Sequence, residues 1–183
     1  MLKIYLTDLA AYNKGYLYGE WIELPQNQSM LNDKLHKILK DGEALCYMEC
    51  GYYEKHEEYF ITDYKWDDVE IFEVDEYEHL FELNKRLEEL EALEPYDHKA
   101  VSFLLSHGIA NDIYDAIEKA DDVVIHQNYD MSDIAYDFIR DNYNIHDLSP
   151  IIANHIDYNG IGRDLEYDGT YYEVGNDIYE YIS

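Results

Sequence analysis

The balance of charge constrains this chain more than any other feature of its sequence. Asp and Glu number 41 against 13 Lys and Arg, so the formal net charge is −28 at pH 7 over 183 residues. Solubility alone asks for a net charge of only about 2 to 8 in a small domain. Repulsion between like charges opposes compaction, so we expect a folded chain with this excess to use its electric field. The expected use is the binding of a positively charged partner.

The composition nevertheless favours a folded protein. Hydrophobic residues make up 47% of the chain, which is enough for the core of one ordinary domain or of two to three very small ones. Intrinsic disorder is therefore not expected. Tyrosine is abundant, with 21 residues, and its rigid amphipathic ring suits interfaces as well as cores.

The same charge excludes several classes of binding partner. Affinity for phosphates comes from clustered Lys and Arg, so direct binding to nucleic acid is not expected. No run approaches the roughly 20 apolar residues of a membrane span, and the start from Met1 to Leu6 alternates like a strand, unlike a signal peptide. We expect a cytoplasmic protein that does not bind membranes.

Charge and residue patterning together predict an α+β fold. Residues 1–60 carry ten acids against six bases, residues 61–120 seventeen against five, and residues 121–183 fourteen against two. We predict an elongated chain of three small domains: a mixed α/β unit over residues 1–72, a helical bundle over 73–120 and an α+β unit over 121–183. Such a chain spaces like charges apart, and the absence of a Gly/Ser linker indicates that the units abut.

In the first domain, strands are predicted at residues 4–6, 17–24, 44–53 and 59–64, the second ended by Pro25. Between them, Ser29 or Asn32 caps a helix that Gly42 ends. The helix has an apolar spacing formed by Leu31, Leu35, Ile38 and Leu39. Cys46 and Cys50 fall in a predicted strand, where i and i+4 are about 13 Å apart, too far for a disulfide. Two free, buried thiols are expected.

Helices are predicted throughout the second domain. The first is capped by Asp75 and stopped by Pro95, with an apolar stripe of Leu80, Leu83, Leu87, Leu90 and Leu93. The second covers residues 97–107 with Gly108 as its stop, and the third covers 112–120 with Asn111 as its cap. In the third domain we predict a strand at 122–126, a helix capped by Ser132, a helix begun by Pro150, and strands near 170–174 and 178–182.

The acids are expected to form a partner-binding surface. In the helix after Ser132, three Asp follow at i, i+4 and i+8, which places a carboxylate about every 6 Å of rise. Eight acids lie between residues 63 and 78 with Lys65 as their only counter-charge, and strand alternation would space them by about 6 to 7 Å. Duplex DNA carries one charge per roughly 1.7 Å of axis, so several such rows approach its charge density. The predicted surface comprises Asp63, Asp67, Asp68, Glu70, Glu73, Asp75, Glu76, Glu78, Glu82, Glu88, Glu89, Glu91, Asp112, Asp115, Glu118, Asp133, Asp137 and Asp141.

Motifs of catalysis and metal binding are absent from the sequence. Residues 164–169 begin like a calcium loop but place Gly175 where a bidentate Glu is needed. There is no His-Glu-x-x-His pair, no second ligand pair near Cys46 and Cys50, no Gly-rich phosphate loop and no Gly-x-Ser-x-Gly elbow. We therefore expect no catalytic residue, no metal and no cofactor. A pair of acids acting as in a glycosidase remains an alternative, although 41 acids make any one pair weak support for it.

Two stretches of the sequence resemble the ArdA family of antirestriction proteins. Residues 155–165 are similar to the family's antirestriction motif, in which an aromatic-rich helix leads into Gly-Arg-Asp-Leu. The motif residues here are Ile156, Asp157, Tyr158, Gly160, Ile161, Gly162, Arg163, Asp164 and Leu165. Residues 58–64, leading to 74–77 and 83–84, and the opening 4–9 through 19–21 also fit. The resemblance thus spans nearly the whole chain.

The resemblance implies a curved, elongated, dimeric protein of three domains, carried by conjugative plasmids, transposons and phages. Its acidic surface would imitate bent duplex DNA and block type I restriction-modification enzymes at their methyltransferase core, without catalysis, and its dimer would form through the C-terminal domain. One departure is Ile161, which stands where the family motif tends to have a bulky aromatic. From the residues alone, we expect Arg163, beside Asp157 and Asp164, to order the fold or an interface. Gly160 and Gly162 are expected at a helix end or in close packing.

Three hypotheses follow. The leading one is a DNA mimic whose carboxylates act collectively against a restriction-modification enzyme. The second is an acidic module that sequesters another basic DNA-binding protein, such as a nucleoid protein or an anti-CRISPR target. The third is a hydrolase with paired carboxylates, which requires a concave site and one strongly raised acid pKa.

Overall fold

The computed structural model describes residues 1–182. The chain divides into two compact units, an N-terminal unit of residues 1–117 and a C-terminal unit that begins at Glu118. Each unit contains a three-stranded antiparallel sheet and helices, which confirms the predicted α+β class. The division into three domains and their elongated arrangement stay predictions. No helix in the described residues has the length and apolar character that crossing a membrane requires.

The N-terminal sheet consists of β1 (Leu2–Asp8), β2 (Gly19–Leu24) and β3 (Tyr59–Trp66), in the order β2-β1-β3. Alternation along β1 sends Leu2, Ile4 and Leu6 to one face, where all three are fully buried. The long helix α2 (Gln28–Cys50) packs against β1 and β2. A short helix, α1 (Leu9–Asn13), follows β1 directly.

The sequence prediction failed along the second half of α2. Residues 44–53 were predicted to be a strand, but α2 continues through Gly42 to Cys50 and ends at Gly51, which has a φ of 75°. A Cβ at Gly42 would lie 2.0 Å from Oδ2 of Asp8. Gly42 therefore allows a close approach to Asp8 within the helix, and does not stop it. The cap is Asn27, whose side chain accepts from the N–H of Ser29 at 2.9 Å, and neither Ser29 nor Asn32.

The helical conformation also changes the expectation for the two cysteines. Both are free. Cys46 is buried as predicted, whereas Cys50 is exposed, because it lies at the last position of α2. The prediction of two buried thiols was therefore wrong for Cys50.

Three helices follow β3: α3 (Leu80–Glu91), α4 (Pro95–Ser106) and α5 (Ile113–Lys119). The apolar stripe of α3 is confirmed, since Leu80, Leu83, Leu87 and Leu90 are buried. The boundaries differ from the prediction, because His79 caps α3 and Pro95 is the first residue of α4. Asp112 accepts from the N–H groups of Tyr114 and Asp115 at the start of α5, in place of the predicted Asn111.

Hydrogen bonds tie α3 and the segment before it to the first 72 residues. The Ile61 N–H donates to the Glu76 carbonyl at 2.8 Å, and the Leu80 N–H donates to the hydroxyl of Tyr59 at 3.0 Å. Asn84, which is buried in α3, accepts from the Gln26 N–H at 2.8 Å and donates to the Gln26 carbonyl at 2.9 Å.

The C-terminal unit contains the predicted elements and one further helix. Its strands β4 (Val123–His126), β5 (Tyr171–Val174) and β6 (Asp177–Tyr181) form a sheet in the order β4-β6-β5. Its helices are α6 (Met131–Asn142), α7 (Pro150–Ala153) and α8 (Tyr158–Tyr167), and short 3₁₀ turns occupy Ala120–Asp122 and Ile145–Asp147. Pro150 begins α7 as predicted. Asp130 caps α6 with a capping box, where Ser132 was predicted.

Gly162 lets α8 pack closely on the start of α6. A Cβ at Gly162 would lie 2.4 Å from the carbonyl oxygen of Met131, a backbone atom that cannot move aside without shifting α6. Next to it, Leu165 packs on the buried cluster of Met131, Ile134 and Ile178. The expected close packing at Gly162 is therefore present.

We predict that Gly162→Ala destabilises the protein by about 2 kcal/mol or more, because the added methyl group overlaps backbone. Gly160→Ala is the matched control in the same helix. Its Cβ would meet the carboxylate of Asp157 at 2.7 Å, a side chain that can turn at the cost of a weaker cap, and the higher helix propensity of Ala offsets that cost, so we expect a change within about 1 kcal/mol. Urea denaturation followed by circular dichroism measures both values, and equal destabilisation by the two substitutions would contradict the packing described here.

Candidate partner-binding surface

Most of the predicted surface acids are exposed to solvent. Of the 18 carboxylates, 15 belong to exposed residues, and only Glu78, Asp115 and Asp137 are half-buried. Exposed carboxylates keep their hydration. The fold therefore leaves these carboxylates open to a partner in both units.

Several basic side chains already pair with acids within the chain, some of them with acids of the predicted surface. Lys3 contacts Glu23 at 3.0 Å and Asp67 at 3.7 Å, and Lys37 contacts Glu20 at 2.6 Å. Lys14 is 2.6 Å from Glu54, and the hydrogen bond between them lowers the pKa of that carboxyl group. Each such pair removes one cation from the few that could offset the excess of acid.

The expected row of acids on a strand does not form as predicted. Asp63 lies in β3, but the acids from Asp67 to Glu78 lie in the irregular segment between β3 and α3. Their spacing is therefore set by loop geometry and not by strand alternation. Within this segment Asp75 accepts from the Tyr77 N–H at 2.8 Å and so shapes a turn, although it was predicted to cap α3.

Several predicted surface acids have local structural contacts. Glu78 is 2.8 Å from Arg86, whose guanidinium group lies over the ring of Phe72 at 5.1 Å. Glu70 accepts from the hydroxyl of Tyr64 at 2.9 Å, and this hydrogen bond raises the pKa of Tyr64. In contrast, the carboxylates of Asp68, Glu73 and Glu89 have no ion pair or hydrogen bond among the described residues.

The acid row on α6 is partly neutralised. Asp133 closes the capping box by accepting from the Asp130 N–H at 3.1 Å. Arg140 lies between the other two members, 2.6 Å from Asp137 and 2.9 Å from Asp141. The carboxylate of Asp137 also raises the pKa of the Tyr129 hydroxyl. The row is thus a small network, and only part of its charge faces solvent unpaired.

The antirestriction-like motif forms the start of α8. Asp157 caps the helix by accepting from the Gly160 N–H at 3.0 Å, so Gly160 lies in the first turn of α8. Ile156, Tyr158, Ile161 and Leu165 are half-buried and Gly162 is buried, so these residues face the unit. Tyr158 packs against Tyr136 of α6, with ring centroids 5.6 Å apart.

Arg163 and Asp164 form the exposed side of the same motif. The guanidinium Nε of Arg163 donates to the carbonyl of Asn159 at 3.3 Å. Within residues 1–182 it forms no ion pair with Asp157 or Asp164. A role of Arg163 in ordering an interface stays a prediction.

A buried side-chain hydrogen bond that the sequence prediction missed supports the N-terminal unit. Nδ1 of His56 lies 2.6 Å from Oδ2 of Asp8, and neither side chain is exposed. Oδ1 of Asp8 accepts from the Ala11 N–H at 3.0 Å and so caps α1. Both side chains are enclosed within the N-terminal unit. No sequence motif marks it, because 48 residues separate the partners.

Hydrogen bonds lower the pKa of several carboxyl groups in this structure. The pKa values of Glu54, Glu57 and Asp130 are lowered by hydrogen bonds from Lys14, Lys55 and Ser132 respectively. Among the side chains that the structure describes, no group of three or more His, Cys, Asp or Glu is placed to hold a metal ion.

A comparison with known protein families finds a match for this chain. The family described as antirestriction protein (ArdA) matches residues 4–180, which is nearly the full length of the chain. No curated protein matches it.

The network on α6 gives a testable expectation. We predict that Arg140→Gln lowers the unfolding temperature by about 2 °C or more at about 0.02 M NaCl, because three Asp at four-residue spacing then repel without a counter-charge. At about 0.5 M NaCl most of the loss should disappear, since salt screens exposed charges. Arg163→Gln is the control, because Arg163 bonds only a carbonyl of its own helix. A loss that is independent of salt would contradict the network.

Proposed function

The chain belongs to the ArdA family of antirestriction proteins, whose model covers residues 4–180, and we propose that it acts as a mimic of duplex DNA. In this proposal, its acidic surface occupies the DNA-binding groove of a type I restriction-modification enzyme, at the methyltransferase core. The protein binds there without catalysis, cofactor or metal. Such an enzyme acts on DNA inside the cell, so we also propose the cytoplasm as the place of action.

The observation that carries the proposal is the exposure of the acids. A net charge of −28 lies on a chain of 183 residues, and 15 of the 18 predicted surface carboxylates are exposed. A groove built for duplex DNA is lined with Lys and Arg that neutralise closely spaced phosphates. Carboxylates fixed on a folded surface supply the same sign of charge to the same groove.

The mechanism is therefore competition for one groove. Long-range attraction between opposite charges speeds the encounter. The carboxylates then form ion pairs with groove residues, and the counterions held by both surfaces are released. Duplex DNA is excluded because the groove is filled, and a protein surface offers the enzyme no base to methylate and no strand to cleave.

The experiment is a displacement titration. The protein is added to a purified type I methyltransferase bound to a fluorescently labelled target duplex, and the anisotropy of the duplex reports its release. We expect complete release near stoichiometric protein at about 0.05 M NaCl, and clearly weaker release at about 0.2 M, because binding driven by charge weakens with salt. Absence of release at both concentrations would contradict the proposal.

Charge-neutral variants test whether the predicted surface carries the activity. Asp68→Asn, Glu73→Gln and Glu89→Gln combined should weaken displacement about tenfold, whereas each alone should cost only about two- to threefold, because exposed ionic contacts are individually weak. The control combines Asp33→Asn, Glu49→Gln and Glu58→Gln, exposed acids outside the predicted surface. Equal losses in the two triple variants, or one single change that abolishes displacement, would contradict the assignment.

A second candidate is sequestration of another basic DNA-binding protein by the same surface. The excess of exposed acid supports this candidate, because a strongly acidic surface attracts many basic proteins and charge alone discriminates weakly among them. The same titration against a nucleoid protein on the same duplex separates the two. Comparable displacement of both proteins would favour the second candidate.

We further propose that the protein forms a homodimer through the C-terminal unit. Support comes from α7, where Ile151 is 77% and Ile152 is 56% exposed, and adjacent exposed apolar residues are typical of interfaces. Ile151→Asp should shift the protein toward monomer in sedimentation equilibrium, by at least about tenfold in the dissociation constant. Met48→Asp is the control, since Met48 is 76% exposed in the N-terminal unit. A wild-type monomer, or equal effects of both changes, would contradict this dimer.

A further inference from the structure

The face of the N-terminal sheet opposite to Leu2, Ile4 and Leu6 carries a row of aromatic and acidic side chains. Tyr5 on the central strand pairs with Trp21 on β2 and with Asp63 on β3. Residues directly opposite one another in antiparallel strands point to the same face. Trp21, Tyr5 and Asp63 therefore lie side by side across the sheet, on the face turned away from those buried residues.

Tyr5 forms a flat floor in this row. Its hydroxyl donates to the carbonyl of Gly19 at 2.9 Å. A Cβ at Gly19 would lie 2.9 Å from Cε1 of Tyr5, so the ring lies directly over the glycine. The ring of Trp21 meets Tyr5 edge to face, with centroids 5.4 Å apart at an angle of 72°. Further along the floor, Tyr12 meets Phe60 at 5.0 Å.

These rings line a groove of about 770 Å³. Its aromatic floor includes Tyr5, Trp21 and Phe60, and Leu17 borders it. Trp21 is 49% exposed and Leu17 is 66% exposed. Single exposed apolar side chains are ordinary, but a lined groove of them is typical of a binding surface.

The charge of the groove selects the kind of ligand. Asp63 and Glu76 line it, and no Lys or Arg does among the described residues. Lys3, the nearest cation along β1 on this face, is already held by Glu23 and Asp67. Neither carboxylate of the groove forms an ion pair within residues 1–182. Aromatic faces beside unpaired carboxylates fit a cation and repel an anion.

We propose that this groove binds an arginine side chain projected by the basic partner. A guanidinium group is planar, so it stacks on an aromatic ring while its N–H groups bond a carboxylate in two places, which an ammonium group cannot do. Trp21 and Tyr5 supply the stacking surface, and Asp63 supplies the acceptor. The inference rests on the proposed function and adds to it one specific anchor within an interface otherwise formed by dispersed charge.

The first test uses peptides and not the enzyme. Acetylated peptides with four Arg or four Lys, each separated by Gly, are titrated into protein labelled with ¹⁵N at tryptophan. The chain contains two tryptophans, and the indole of Trp66 donates to the Phe72 carbonyl at 3.3 Å, so Trp66 serves as an internal reference. We expect the Trp21 indole signal to move, the Trp66 signal to stay, and the Arg peptide to bind at least about threefold more tightly than the Lys peptide.

Variants separate the groove from general attraction between charges. Trp21→Ala should weaken binding of the Arg peptide about tenfold, and Trp21→Phe should retain part of it. Asp63→Asn combined with Glu76→Gln should also weaken binding of the Arg peptide. The control combines Asp33→Asn with Glu49→Gln, which removes two negative charges from α2, outside the groove, and should change binding by less than about twofold. If Trp21→Ala fails to fold, the two double variants still test the groove, because they leave Trp21 in place. Equal affinity for the two peptides, equal movement of both indoles or equal effects of the two double variants would overturn the proposal.

The two proposals fail in different experiments. If wild-type protein does not release DNA from the methyltransferase, the proposed function fails, while the peptide titration still decides whether the groove binds arginine. If wild-type protein releases DNA and a folded Trp21→Ala variant releases it equally well, the DNA-mimic function stands and the arginine anchor is wrong.

Discussion

Repulsion among carboxylates is the constraint that the rest of this structure accommodates. With 41 acids against 13 Lys and Arg, most acids cannot find a basic partner within the chain. The fold meets this constraint by placing acids at the surface, where water reduces their repulsion, and by burying aliphatic side chains beneath them. Asp8 is buried, and its burial is compensated by hydrogen bonds with His56 and with the Ala11 N–H. Stability is thus supplied by small apolar cores, and the charge remains available for binding.

The acids fall into two groups by what they contact. One group satisfies local backbone or side-chain groups: Asp130 and Asp157 cap helices, Asp112 caps α5, and Asp75 closes a turn. Such carboxylates stabilise their own segment and are poor candidates for collective binding, because a partner would compete with the cap. The other group, represented by Asp68, Glu73 and Glu89, has no such contact among the described residues. The proposed mimicry depends on this second group.

Periodicity in the sequence predicted the helices and strands that depend on the local pattern of residues. The stripe of leucines in α3, the strand at β4 and the start of α7 at Pro150 follow from spacing and from proline geometry, and all are present. The errors arose where tertiary contacts decide. Gly42 was predicted to end the helix, but its lack of a side chain instead allows Asp8 of β1 to pack closely against it. Asp8 and His56, 48 residues apart, carry no local signature of their contact.

The candidate surface was also predictable only in part: its charge and exposure were predictable, and its geometry was not. Composition gave the sign and amount of charge, and the exposure of most of the predicted acids follows from the cost of burying them. Their spacing was not predictable, because the acids from Asp67 to Glu78 lie in an irregular segment whose path depends on contacts with β3 and α4, such as the bond from Ser102 to the Glu70 carbonyl at 2.8 Å. The aromatic groove was missed for a related reason. Tyr5, Trp21 and Asp63 are far apart in sequence and meet only through strand register.

The central claim is that this protein and duplex DNA compete for one groove, and native mass spectrometry of a three-component mixture tests it most directly. Methyltransferase, target duplex and this protein are mixed at concentrations well above both dissociation constants, and the masses of the complexes are recorded. The account predicts two populations only, enzyme with duplex and enzyme with this protein. A ternary complex that holds both ligands on one enzyme would contradict it.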